Sequence, residues 1–338
     1  MKVLLIGGTG TISSAITRQL AASGHELWLL NRGTRKDEVP ANVKQIIADI
    51  DDEACVLAGL PADPFDAVCE FIGFVTAQVE RDIRLFRNRT RQYVYISSAS
   101  AYNTPLRDAV ITEGTTLANP HWEYSRNKIA CEELLMREYR ENGFPVTIVR
   151  PSHTYCERAV PLSVHGLKGS WPVLKRMIDG KPVVVHGDGS SLWTLTWNED
   201  FARGFIGLLG NPKAIGEAFQ IMSDEQLTWN QIYQTVADVL GVAFKPYHVA
   251  SDFLAAVCPP AYDFEGNLLG DKAATVVFDC SKLKRAVPGF CCTTRFDEGV
   301  RRCVDYLLAH PELQVDDPEF DQWCNRVIEA QERAKQQF

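Results

Sequence analysis

Along the first half of the chain, short apolar runs alternate with amphipathic stretches. VLLIG (3–7), ELWLLN (26–31), VKQIIAD (43–49), FDAVCEFIG (65–73), QYVYISS (92–98) and PVTIVRP (145–151) have the length and make-up of buried strands. Between them, 11–24 sets Ile12, Ile16 and Leu20 on one helical face and ends at Gly24. A helix before the fifth strand turns Val79, Ile83 and Phe86 inward, and 121–143 predicts a long helix. Strands alternating with helices predict βαβ units and a parallel sheet. Right-handed crossovers then give a Rossmann-type, doubly wound α/β fold.

After Pro151 the alternation loosens, and Pro, Gly and Trp become frequent. Helices are expected at 227–241, 297–310 and 317–338, and short strands at 182–187 and 275–279, with 242–292 otherwise irregular. The division expected is a dinucleotide-binding domain over 1–151 and a smaller α+β substrate domain over 152–338.

Composition narrows the class. With 46% hydrophobic and 23% charged residues among 338, the chain is globular. A net charge of −8 argues against a general phosphate-backbone binder. The 10 cysteines contain no CxxC pair, and a chain this large needs no staples, so buried free thiols in a cytoplasmic protein are expected. No apolar run approaches a membrane span, and no stretch of signal-peptide length precedes the glycines. No ligand spacing for a metal occurs; His165 and His186 stand alone.

The turn GGTGTIS (7–13) lies between the first strand and the first helix, the setting in which a glycine-rich motif carries meaning. Gly7 permits the tight turn. Gly10 lets backbone approach a pyrophosphate at the helix N-terminus, where free N–H groups favour an anion. Ser13 occupies the position of a third glycine. At the end of the second strand stand Asn31 and Arg32, with Arg35 and Lys36 close behind, where an acid would favour the ribose of NAD. A neutral amide followed by guanidinium suits a 2′-phosphate, so NADP is favoured over NAD. Asp49 and Ile50, after the third strand, are placed beside the adenine.

Tyr124 and Lys128 are four apart on the long helix and share a face. An ammonium beside a phenol lowers the phenol's pKa and makes it a usable acid–base group. Ser98 ends the fifth strand at the sheet's carboxyl edge, where open α/β sheets bind ligands. The three side chains are therefore expected to converge.

These features resemble the extended, atypical short-chain dehydrogenases/reductases of the NAD-dependent epimerase/dehydratase family. The resembling motifs are GGTGTIS, Asp49-Ile50, FIG (71–73), YISSASAY (95–102), YSRNK (124–128), RPSHTY (150–155) and GDGSSLWTLTWNEDFARG (187–204). The resemblance implies Tyr124 as catalytic acid–base, Lys128 holding the nicotinamide ribose, and Ser98 on the reacting oxygen. It places Gly7, Thr9, Gly10, Thr11, Ile12, Phe71, Ile72, Gly73, Ser97, Pro151 and His153 around the cofactor. It also implies a homodimer through the helices near 77–88 and 122–142, the second offering Ile129, Leu134 and Leu135.

Four departures from the family pattern carry information. QVERDIRLF (78–86) lacks the family's relay asparagine, which resembles the branch holding chloroplast stem-loop RNA-binding proteins. Ala99 and Ser100 replace the Asp-Glu pair of sugar 4,6-dehydratases, so an epimerase or reductase is expected over a dehydratase. Trp193 stands where nucleotide-sugar enzymes carry a diphosphate-clamping arginine. His153 replaces a substrate-contacting asparagine.

Ser100, Tyr102, His153, Trp193 and Trp197 are the candidate substrate contacts, the aromatic ones by stacking on a sugar ring together with Trp122. The expected activity is hydride transfer between a nicotinamide and a hydroxyl or keto carbon of a sugar-like small molecule. The competing reading is a cofactor-binding sensor or RNA-binding protein on the same fold.

Overall fold

The computed structural model describes residues 1–34, 39–108 and 110–338. Arg35 and Lys36 lie outside them.

Seven parallel strands form the central sheet: β1 (Lys2–Ile6), β2 (Glu26–Asn31), β3 (Lys44–Ile47), β4 (Ala67–Glu70), β5 (Tyr93–Ile96), β6 (Val146–Pro151) and β11 (Glu217–Ile221). Their spatial order is β3-β2-β1-β4-β5-β6-β11, so the order reverses beside β1. That reversal opens a crevice at the carboxyl edge.

Alternate residues of each strand feed opposite cores, as the pleat requires. Val3, Leu5, Leu27, Leu29, Val94 and Ile96 pack on α1 (Ser13–Ala22) and α6 (Asn198–Leu208). Leu4, Ile6, Leu30, Val68, Tyr93 and Tyr95 pack toward α2 (Glu53–Gly59), α3 (Thr76–Phe86) and α4 (Glu123–Asn142). Leu134 and Leu135 belong to this second core.

The single cut expected at residue 151 needs amendment. Residues 198–221 return to the sheet, supplying α6 on one face and β11 as the seventh strand. The second lobe has its own core, including Val173, Leu174, Val184, Trp229, Tyr233, Val300 and Trp323. It comprises α5 (Trp171–Ile178), α7 (Trp229–Leu240), α10 (Phe296–Ala309), α11 (Pro318–Lys335) and small sheets. Those sheets pair β8 (Val183–His186) with β13 (Pro246–Val249), β7 (His153–Tyr155) with β10 (Leu195–Trp197), and β9 (Leu192–Trp193) with β12 (Leu227–Thr228).

The stretch expected to be irregular carries defined elements: β13, α8 (Ser251–Val257), a π-helix at Glu265–Lys272 and α9 (Ser281–Ala286). The strand expected at 275–279 is instead a single bridge between Phe278 and Ile111. Its residues divide their bonds between two neighbours: Val276 N–H donates to Leu192, while the Val277 carbonyl accepts from Ile111. No helix among the described residues is long and apolar enough to cross a membrane.

Candidate active site

The turn after β1 is shaped by Gly7, whose φ of 81° lies in the left-handed region. A Cβ there would come 2.7 Å from Ile72 Cγ2. Ser13 does more than tolerate the third glycine position. Its hydroxyl donates to the Gly7 carbonyl at 2.6 Å and accepts from the Gly10 N–H at 2.8 Å, tying the turn to the helix. Thr17 adds a bond to the Gly8 carbonyl at 2.7 Å. Among the described residues no side chain caps α1, and no acid occupies its first turn. Its N-terminus thus offers an anion unspent N–H groups.

In front of that terminus lies a cavity of about 770 Å³. Gly7, Thr9 and Gly10 form its floor, and Asn31, Arg32, Asp49, Ile50 and Ile72 its outer wall. Phe74, Gln78, Asp51 and Arg81, which sequence reasoning did not assign here, complete it. Arg81 is drawn into place by Asp51 at 2.6 Å and Asp82 at 2.8 Å. Two buried polar atoms, Ser97 Oγ and Asn198 Oδ1, have no partner among the described residues, and Asn198 Nδ2 donates to the Thr11 carbonyl. Size, a bare helix terminus and a guanidinium at the rim fit a dinucleotide.

Not every residue expected around the cofactor lines this cavity. Ile12 and Phe71 pack with the core on the α1 face, the Phe71 ring tilted against that of Phe205 with centroids 5.6 Å apart. Gly73 serves through its carbonyl, which accepts from Lys128 and Tyr95.

Beyond Phe74, whose ring lies 6.4 Å from that of Tyr124, a second pocket of about 290 Å³ opens. Ser98, Ser100, Tyr124, Pro151, His153 and Trp193 line it. Ser98 caps the short 3₁₀ turn Ala99–Ala101, and its hydroxyl lies 2.8 Å from that of Ser100. Ser125 donates to Ser100 at 2.7 Å, so three hydroxyls form a chain.

Lys128 Nζ donates to the carbonyls of Gly73 and Ile96, each at 2.7 Å. One of its three protons stays free for a further acceptor, the role expected toward a ribose. Burial pushes the Lys128 pKa down to about 8, against neighbouring carboxylates that raise it.

Burial, and not Lys128, dominates the Tyr124 phenol. Burial lifts the phenol to about 12; a hydrogen bond with Ser98 opposes this and the Asp271 charge adds to it. The physical reason is placement. The ammonium lies 5.8 Å from the Tyr124 ring centroid, with its bonds directed at two carbonyls.

His153 is pushed down to about 3 by burial, so its imidazole is neutral and can donate and accept. Tyr102 contributes only its ring to the pocket. Its hydroxyl donates to Gln220 at 2.9 Å and its face meets the Arg150 guanidinium. Trp197 is not in the pocket; it is buried edge-on against Tyr155, with its indole N–H on Glu199.

Asp271 and Lys272 are pocket residues that sequence reasoning missed. Both end the π-helix, which rests on Trp122 through Gly266 and Gly270. Asn119 fastens it, donating to the Gly270 carbonyl at 2.6 Å and the Ser100 carbonyl at 2.8 Å.

Residues 3–221 match the family described as "NAD dependent epimerase/dehydratase family". Among curated proteins, the 2′-dehydrokanamycin reductase of Streptomyces kanamyceticus is 26% identical over 86% of this chain and 80% of its own length. The chloroplast stem-loop binding protein of 41 kDa b from Arabidopsis thaliana is 27% identical over 71% of this chain and 63% of its own. Among solved structures, a UDP-glucuronic acid 4-epimerase from Bacillus cereus, in complex with UDP-glucuronic acid and NAD, superposes with a TM-score of 0.71. It covers 91% of this chain and 99% of its own at 19% identity, a likeness of fold.

Proposed function

The chain belongs to the NAD dependent epimerase/dehydratase family, and from that premise we propose that it is an NAD(P)-dependent oxidoreductase acting on a hydroxyl or keto carbon of a sugar-like substrate. The supporting observation is that Ser98 and Tyr124 share one small pocket, with Lys128 beneath and the glycine turn opening next to it. When bound, a nicotinamide dinucleotide would supply or accept the hydride. Gly7, Thr9, Gly10 and the α1 terminus would hold its pyrophosphate, with Asp49 and Ile50 toward the adenine.

Tyr124 holds its proton at neutral pH, since burial keeps its pKa near 12. It is therefore set to donate to an oxygen that gains negative charge, the direction of ketone reduction. Ser98 orients that oxygen, and Ser100 and Ser125 orient Ser98. The relative named as a reductase supports the same direction. Ala99 and Ser100 leave the turn after β5 without carboxylates, so elimination of water lacks an acid–base pair there. The likeness to the chloroplast stem-loop binding protein supports a distant branch relation within the family.

We read the cofactor as NADP, on Asn31 and Arg32 at the cavity wall. A homodimer through α3 and α4 follows from the resemblance alone. The decisive experiment is Tyr124→Phe, expected to lower turnover by about a hundredfold or more. Turnover within a few-fold of wild type would refute the assignment. For the cofactor, Arg32→Ala is expected to raise KM for NADPH about tenfold with KM for NADH unchanged. An equal change in both would refute the NADP reading.

A further inference from the structure

The pocket beside Tyr124 has a polar inventory of its own. Its acid is Asp271, which approaches Tyr124 closely enough for its charge to act on the phenol. Burial raises the Asp271 acid above the ordinary carboxylate value, and the Lys272 ammonium holds it back. That ammonium reaches only Oδ2, at a long 3.3 Å. It also donates to Asn267 Oδ1 and lies 6.0 Å from the Trp193 ring centroid. The ammonium is thus held in the wall by Asp271 and the neutral Asn267 amide, and no arginine among the described residues lines the pocket.

The second feature is an aromatic lining. Trp193, only 3% exposed, forms part of the wall, with its Nε1 atom closed off from solvent. Trp122 and Phe278 add aromatic surface to the same walls, suited to the C–H face of a ring and to a cation. At about 290 Å³ the pocket admits a single ring more readily than a nucleoside diphosphate attached to one.

We infer that this pocket takes an amine-bearing polyol ring not coupled to a nucleotide, with Asp271 receiving the ammonium and the aromatic walls packing on the ring. No arginine among the described residues lines the pocket to clamp a diphosphate in two-pronged fashion, whereas an ammonium can share the Asp271 carboxylate, which Lys272 meets at one oxygen only. The inference rests on the oxidoreductase reading for its ring carbon, but Asp271 recognises the amine whether or not turnover follows.

The test is therefore a binding measurement. The tryptophan fluorescence of the full protein, with NADPH present and absent, is titrated with glucose, with the three amino-deoxyglucoses carrying the amine at C2, C3 or C6, and with UDP-glucose. At least one amino sugar is expected to bind about tenfold tighter than glucose, and Asp271→Asn to erase that difference. UDP-glucose is expected to bind no better than glucose. No amino sugar tighter than glucose, a preference that survives Asp271→Asn, or tight UDP-glucose binding would each overturn the inference. If Asp271→Asn does not fold, the wild-type comparison decides alone. Failure here with loss of turnover in Tyr124→Phe refutes the amine and keeps the oxidoreductase. An amine preference with full activity in Tyr124→Phe does the reverse.

Discussion

The glycine turn and the π-helical wall face each other across one crevice, yet they are built differently. The turn is local: Gly7, Gly10, Ser13 and Thr17 bond one another within ten or so positions of sequence. It presents backbone N–H groups, which every residue but proline owns, so its chemistry is fixed by chain path. The wall is assembled from afar. Asn119 grips Gly270, and Trp122 fills the space over Gly266 while its indole N–H meets Asp263 at 2.9 Å. It presents side chains, Asp271 and Lys272, so its chemistry can change without altering the sheet. A cofactor shared by a family suits the first construction, and a varying substrate suits the second.

The sharpest way to break the comparison is at Gly7. Gly7→Val adds a β-branched side chain at a φ of 81° and drives it into Ile72. The left-handed conformation alone costs a residue with Cβ roughly 1–2 kcal/mol, and the clash adds to it. Dinucleotide affinity, followed by nicotinamide fluorescence, is expected to fall about a hundredfold or more. Binding of sugar in the second pocket should survive in whatever fraction remains folded. Cofactor affinity unchanged from wild type would show that the turn does not carry the pyrophosphate.

The same contrast explains what could be read in the sequence. Six strands of the sheet follow from apolar runs because a doubly wound sheet is buried on both faces. Tyr124, Lys128 and Ser98 were legible because a helix fixes the four-residue spacing and a strand end fixes the sheet edge. The seventh strand was not, since EAFQI at 217–221 joins β6 only after a long excursion through the second lobe. The wall was hidden for a different reason. EGNLLGDK forms a π-helix, whose pattern matches neither the 3.6 nor the 2.0 period. Trp193 and Trp197 could not be told apart, because β9 and β10 are only two and three residues long and show no face. Spacing predicted that Lys128 and Tyr124 meet; only burial and the two carbonyls decided which pKa moves.

That buried lysine joins the two constructions, since it hangs from α4 and bonds the sheet edge at Ile96. Its folded pKa, about 8, lies below the ordinary 10.5. Below about pH 8 both folded and unfolded chains hold the proton, and the folded state carries the whole cost of burying it. Between 8 and 10.5 the unfolded chain binds more protons than the folded one, so stability rises with pH across that window. Lys128→Met lacks the group. Wild-type stability minus that of the variant should therefore climb by at most about 3 kcal/mol across the window. Denaturant titrations at several pH values check this, and a flat difference would mean that the ammonium is not desolvated.

The smallest expected effect tests whether the wall is independent of the turn. In Gly266→Ala a single Cβ would arrive 2.1 Å from Trp122 Cδ1, part of a rigid indole borne by the residue just before α4. Either the π-helix or the indole must move by about an ångström, and Asp271 and Lys272 move with the helix that bears them. The sheet, α1 and the glycine turn share no bond with this contact. Affinity for whichever sugar the wild type binds is expected to fall about tenfold, a loss near 1.4 kcal/mol, while NADPH affinity stays within about twofold. A parallel loss of both affinities would show that the two regions form one mechanical unit, with Trp122 and Tyr124, whose ring centroids lie 4.9 Å apart, transmitting the shift to the cofactor side.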